Sequence, residues 1–159
     1  MADDPLTHFD AAGQAHVVAI DTKPETPRRA LAAARVRMAP ATLERIRDGK
    51  MGKGDVLGVA RIAAIQATKT TPQTIPLCHP VRVTSVAVEF EILAALPGVE
   101  VTVEVTAYDR TGPEMEAMHA ASVAALTIYD MCKAMDRGIV IERVLLLEKS
   151  GGKSGAWTR

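Results

Sequence analysis

Two runs of alternating residues constrain the fold of this chain most. Val86, Val88, Phe90 and Ile92 share one face of the first run, and Val99, Val101, Val103 and Val105 share one face of the second. Successive side chains of a strand point to opposite faces, so each run buries one side and leaves the other open. Pro97-Gly98 between them supplies a turn, which makes the pair an antiparallel hairpin. The opposite faces carry Glu89, Glu91, Glu100, Thr102 and Glu104, so that side of the sheet is polar or meets a partner.

The flanking segments build on this hairpin. Residues 1–28, with Pro5, Pro24 and Pro27 and no sustained period, read as an N-terminal arm. Residues 29–159 read as a single domain. Its first strand is Arg29 to Met38, with Ala30, Ala32, Ala34, Val36 and Met38 on one face and Arg29, Arg35 and Arg37 on the other. Pro40 to Asp48 reads as a short helix stopped by Gly49, and Asp55 caps a longer one through about Lys69. Thr70 to Pro80 holds three prolines and is expected to be an extended loop. A last strand covers Ile139 to Leu147, followed by a glycine-rich tail. Strand, helices, strand, strand, helix, strand is a split βαβ order, which predicts a ferredoxin-like α+β sandwich with an antiparallel sheet and helices on one face.

The remaining helix spans Thr111 to Ala134. Thr111 and Glu114 have capping-box spacing, and Pro113 suits a first turn. Ala120, Ala121, Ala124 and Ala125 keep the helix slim for close packing on a sheet. Steps of three and four place Glu116, His119, Val123, Leu126, Asp130 and Lys133 on one stripe. An Asp and a Lys three apart are ordinarily a helical salt bridge. After Leu126-Thr-Ile-Tyr129, however, Asp130 and Lys133 are expected to be half-buried, as a proton-transferring pair requires.

Composition narrows the class of partner. Nineteen basic and nineteen acidic residues cancel, so total charge suggests neither a nucleic-acid nor a membrane-surface binder. Cys78 and Cys132 form no CxxC or zinc spacing, which with the absence of a signal-peptide pattern in residues 1–5 and of any ~20-residue apolar run predicts a soluble, cytoplasmic protein. Charge is concentrated locally instead. Lys50 and Lys53 lie in a glycine-rich turn, and His79 is set between prolines in Pro76-Leu-Cys-His-Pro80. Lys149 and Lys153 flank Ser150-Gly-Gly. Gly152-Lys-Ser lacks the earlier glycine and following helix of a P-loop, but flexible lysine loops suit phosphate oxygens. Lys53, His79, Lys149 and Lys153 meeting at the Asp130/Lys133 end of the helix would form a cationic pocket for a polyanion. Such clustering should depress at least one lysine pKa.

Leu77-Cys-His-Pro80, Glu114-Met-Glu116, Ala120 through Lys133 and Lys149-Ser-Gly-Gly-Lys-Ser-Gly155 closely resemble the molybdenum cofactor biosynthesis protein C family, cyclic pyranopterin monophosphate synthase. The resemblance implies a homohexamer, a trimer of dimers with sites at subunit interfaces. It also implies conversion of 3′,8-cyclo-7,8-dihydro-GTP, a small-molecule triphosphate, to cyclic pyranopterin monophosphate with loss of pyrophosphate. By position it makes Asp130, Lys133 and Lys53 catalytic. Leu77, Cys78, His79, Glu114, Met115, Glu116, Lys149 and Lys153 become substrate-binding, together with an arginine, Arg28 or its neighbour Arg29. No metal ligand is implied, although Mg²⁺ could assist pyrophosphate departure. If sites are shared, Asp130 and Lys53 are expected to come from different subunits. A non-catalytic nucleotide-binding module on the same fold is the alternative.

Overall fold

The computed structural model describes residues 8–9, 12–153 and 155–159. The signal-peptide reading of residues 1–5, and Ser154 of the tail, lie outside the described residues. Strand β1 (Thr26–Arg37) is followed by helices α1 (Pro40–Arg47) and α2 (Val56–Thr74) and by strands β2 (Val83–Leu93) and β3 (Gly98–Asp109). Helix α3 (Glu114–Cys132) then leads to β4 (Val140–Ser150) and a short β5 (Trp157–Thr158). The five strands form one antiparallel sheet in the order β2-β3-β1-β4-β5, with the helices packed on it, a ferredoxin-like sandwich. Among the described residues no helix is long and apolar enough to cross a membrane.

The alternation that predicts the strands also selects the core. Ala30, Ala32, Ala34 and Val36 of β1 and Val99, Val101, Val103 and Val105 of β3 are all completely buried. The alanines of α3 lie directly on these two strands, and small side chains let the helix approach closely. Each buried valine contributes about 1.5–3 kcal/mol by transfer from water. Ile92, expected inward, is 36 % exposed because it stands near the hairpin end. Gly98 pairs with Arg37 in the first step of β3, where an added Cβ would strike the Val36 carbonyl.

The outer face of the sheet is a network of ion pairs. Arg29 meets Glu104 at 2.6 Å and Glu148 at 2.8 Å, while Glu100 accepts from Arg35 at 2.7 Å and Arg143 at 2.9 Å. These partly exposed pairs contribute roughly 0.2–1 kcal/mol each. Of the glutamates that left this face open to a partner in the sequence, Glu100 and Glu104 are thus matched within the chain by β1 and β4.

Several boundaries differ from expectation. β1 starts at Thr26 rather than Arg29, since its first residues pair with Tyr108 and Asp109 of β3. α2 continues through Pro72 to Thr74 instead of ending at Lys69. Proline forfeits a bond to Thr68, but the Thr71 carbonyl still accepts from the Ile75 N–H, and the Thr70 and Thr71 hydroxyls add bonds to the Ala67 carbonyl one turn earlier. β4 extends to Ser150, and β5 pairs Trp157 with Lys149, so Lys149 belongs to a strand rather than a loop.

Candidate active site

Two groups of polar residues form at opposite ends of α3. At the C-terminal end, Lys133 Nζ donates to Asp130 Oδ1 at 2.6 Å. Lys53 reaches the same carboxylate from the turn between α1 and α2. Gly49 and Gly54 take positive φ of 66° and 92° there, and Asp55 caps α2 by accepting the Gly58 N–H at 2.9 Å. This turn brings Lys53 Nζ to 2.8 Å from the Asp130 carbonyl oxygen and 3.3 Å from Oδ2. Lys50 points away and pairs with Asp48 at 3.2 Å.

This arrangement corrects three expectations. Asp130 and Lys133 lie at the surface rather than in a shielded pocket: their side chains are 55 % and 51 % exposed, because the sheet covers the alanine side of α3 and not this stripe, on which Leu126 is also open. Nor is Lys133 depressed. The hydrogen bond and charge of Asp130 raise its pKa, while the bonds from Lys133 and then Lys53 hold the Asp130 carboxyl below its ordinary value. A carboxylate between two ammonium groups cancels the repulsion that clustering was expected to produce. Finally, Lys53 and Asp130 meet within one chain rather than across two.

At the N-terminal end of α3 lies a cavity of about 1000 Å³ lined by Lys23, Thr26, Arg28, Arg110, Thr111, Gly112, Glu114, Lys149, Gly152 and Lys153, among others. Arg28, not Arg29, is the arginine here. Its Nε donates to the Asp109 carbonyl at 3.2 Å and its Nη2 to the Arg110 carbonyl at 3.1 Å, which pins it at the end of β3. Gly151 and Gly152, with φ of 101° and 71°, fold the tail back over it, and a Cβ on Gly152 would collide with the Arg28 guanidinium. The capping box is absent. Pro113 occupies the N-cap with no side-chain cap, and Glu114 instead lies over Gly112 and meets Lys149 at 3.1 Å. A second cavity of about 320 Å³ continues from the first through shared Lys23, Thr111, Gly112 and Glu114. It is lined by Leu77, Cys78, His79 and Met115 with Val18 and Ile20 of the N-terminal segment.

Beneath this second cavity Glu116 is 1 % exposed. Its Oε2 has no hydrogen-bond partner among the described residues, and the Cys78 Sγ lies 3.9 Å from Oε1. Burial is the largest cause pushing the Glu116 carboxyl up to about 7, and burial with the Glu116 charge pushes the Cys78 thiol up to about 11. Cys78 is therefore a neutral thiol near physiological pH. Nearby, His119 Nδ1 and buried Thr71 Oγ1 are 3.2 Å apart and tie α3 to α2.

The structure thus gathers Arg28, Leu77, Cys78, His79, Glu114, Met115, Glu116, Lys149 and Lys153 at one end of α3, and Lys53, Asp130 and Lys133 at the other. Sixteen helical steps separate Glu114 from Asp130, about 24 Å along the axis. One protomer does not join them. Sequence reasoning missed Lys23, Thr26 and Arg110; the available signal was a proline-flanked lysine and an arginine directly before the Thr-Gly that opens α3. Among the described residues no group of three or more His, Cys, Asp or Glu could hold a metal ion. Among the described residues the one carboxylate lining the large cavity, Glu114, is engaged by Lys149, so this donor set does not fit a resident Mg²⁺.

Compared with known protein families, the chain matches the MoaC family over residues 17–152, a span that takes in both ends of α3, the proline-flanked turn and the start of the tail. A match over most of its 159 residues establishes that the chain belongs to the MoaC family, whose role is in molybdenum cofactor biosynthesis.

Proposed function

We propose that the chain is a cyclic pyranopterin monophosphate synthase, a phosphorus–oxygen lyase that converts 3′,8-cyclo-7,8-dihydro-GTP to cyclic pyranopterin monophosphate and pyrophosphate. The observation that carries this reading is the continuity of two cavities at the start of α3. A strongly cationic one suits a triphosphate, and the adjoining one offers Leu77, Met115 and Cys78 for a ring, with His79 for hydrogen bonding. In the cyclisation a substrate hydroxyl attacks the α-phosphorus, its proton is lost, and the bond to the β-phosphate oxygen breaks. Arg28, Lys149 and Lys153 neutralise charge developing on the departing pyrophosphate. Purine opening and pterin closure require proton donors and acceptors, a task for Asp130 with Lys53 and Lys133.

The separation of the two residue groups leads us to a shared site. In the homohexamer we propose, a trimer of dimers, the C-terminal end of α3 from one copy faces the cavities of another. Placement in the cytoplasm is part of the same reading.

The test is an assay of the purified chain on the cyclised dihydro-GTP, following pyrophosphate and the pterin product together. Stoichiometric appearance of both is expected. Tight nucleotide binding with neither product would replace the synthase with the non-catalytic module.

A further inference from the structure

Arg110 stands between β3 and α3 with its main chain fully engaged. Its N–H donates to Asp109 Oδ1 at 2.7 Å and its carbonyl accepts from Arg28 Nη2. Its side chain is not so served. The Arg110 Nε is withdrawn from solvent with no hydrogen-bond partner among the described residues, and so is the hydroxyl of Thr26. Both residues line the large cationic cavity. Buried donors without acceptors are rare, because nothing replaces the water they gave up.

The charge of the cavity points to the missing acceptor. Among the described residues that line it, Lys23, Arg28, Arg110, Lys149 and Lys153 are five cations against one carboxylate, Glu114. Arg28 already spends Nε and Nη2 on main-chain carbonyls, which leaves Arg110 as the arginine whose Nε is uncommitted. A single phosphate or a carboxylate would leave much of that charge unanswered, whereas a pyrophosphate moiety answers most of it and offers several acceptor oxygens. A planar guanidinium suits those oxygens better than a point charge.

We propose that Arg110, assisted by the Thr26 hydroxyl, is a recognition residue for the pyrophosphate moiety, holding it both within the substrate and as the leaving product. The inference rests on the synthase reading for its place in the reaction, but the anion site itself does not. It assigns the phosphates to the large cavity and the ring to the smaller one beyond Glu114.

The test is calorimetric titration of the full-length protein with inorganic pyrophosphate, with sulfate at matched ionic strength for comparison. Arg110→Met is expected to weaken pyrophosphate about tenfold or more, Arg110→Lys to recover part of the loss, and Thr26→Val to lose less. Melting temperature and assembly mass on the same samples exclude unfolding, and Thr26→Val serves if Arg110→Met does not fold. Wild-type affinity in Arg110→Met or, failing that variant, in Thr26→Val overturns the proposal. So does a wild-type protein that holds pyrophosphate no better than sulfate. Turnover on the cyclised dihydro-GTP separates the two claims. Arg110-dependent pyrophosphate binding without product sinks the synthase and keeps the site, and turnover with Arg110-independent binding does the reverse.

Discussion

Lys53 Nζ donates to the Asp130 carbonyl oxygen at 2.8 Å although the two residues lie 77 positions apart. The same ammonium is 3.3 Å from Asp130 Oδ2, and Lys133 holds the other carboxylate oxygen. Asp130 is thereby a carboxylate between two cations in each chain, before any assembly.

Asp130→Asn removes the negative charge that both lysines share. Product formation is expected to fall by about 10²-fold or more, the usual effect of losing a proton-transfer group. Nucleotide affinity should stay within tenfold, because the phosphates are held by the cations of the large cavity and not by Asp130. Single-turnover kinetics with a parallel binding titration checks both, and near-normal turnover would remove Asp130 from the chemistry.

Mixing experiments test the shared site, with the pairs dictated by geometry. Asp130→Asn and Lys149→Met alter opposite ends of α3. After dissociation and reassembly together they are expected to regain about a quarter of wild-type activity, if each site draws one end from each of two copies. Asp130→Asn with Lys53→Ala should regain none, since these residues meet in one chain. Assembly mass confirms mixing, and equal recovery from both mixtures contradicts the arrangement.

Glu116 makes stability depend on pH. Its folded pKa of about 7 lies above the ordinary carboxyl value, so the stability it contributes is complete at low pH and is lost as pH rises through about 7. Glu116→Gln is expected to match the wild type near pH 4, and to exceed it by on the order of 3 kcal/mol at pH 8. Denaturant unfolding across this range decides; a constant offset between the two proteins would refute a buried, titrating Glu116.

Gly152→Ala combines two penalties. The residue sits at φ 71°, and the new methyl would displace the Arg28 guanidinium. A loss of about 1–2 kcal/mol in stability is expected from the backbone alone. Pyrophosphate binding should weaken as well, because Arg28 leaves its carbonyl partners. Thermal unfolding and calorimetry measure the two effects separately, and unchanged pyrophosphate affinity would show that Arg28 does not depend on this loop.

Local pattern carried most of the architecture. The alternating valines of β3, the alanines of β1 and α3 and the Asp55 cap act over a few neighbouring residues, so side-chain period and capping chemistry announced the sheet, its inward face and three helices in order. The residue motifs carried the family. The failures share a different cause. Pro72 was tolerated because the helix closes beyond it through the Ile75 N–H to the Thr71 carbonyl, and Glu114 left its cap because Gly112 and Lys149 offered a better position. β5 formed because β4 exposed an edge to it. Only the tertiary structure decided that Arg28 rather than Arg29 faces the cavity, that Arg110 and Thr26 join it, and that Lys53 closes on Asp130. Those outcomes depend on strand register and on contacts between residues up to 82 positions apart, and no local periodicity encodes them.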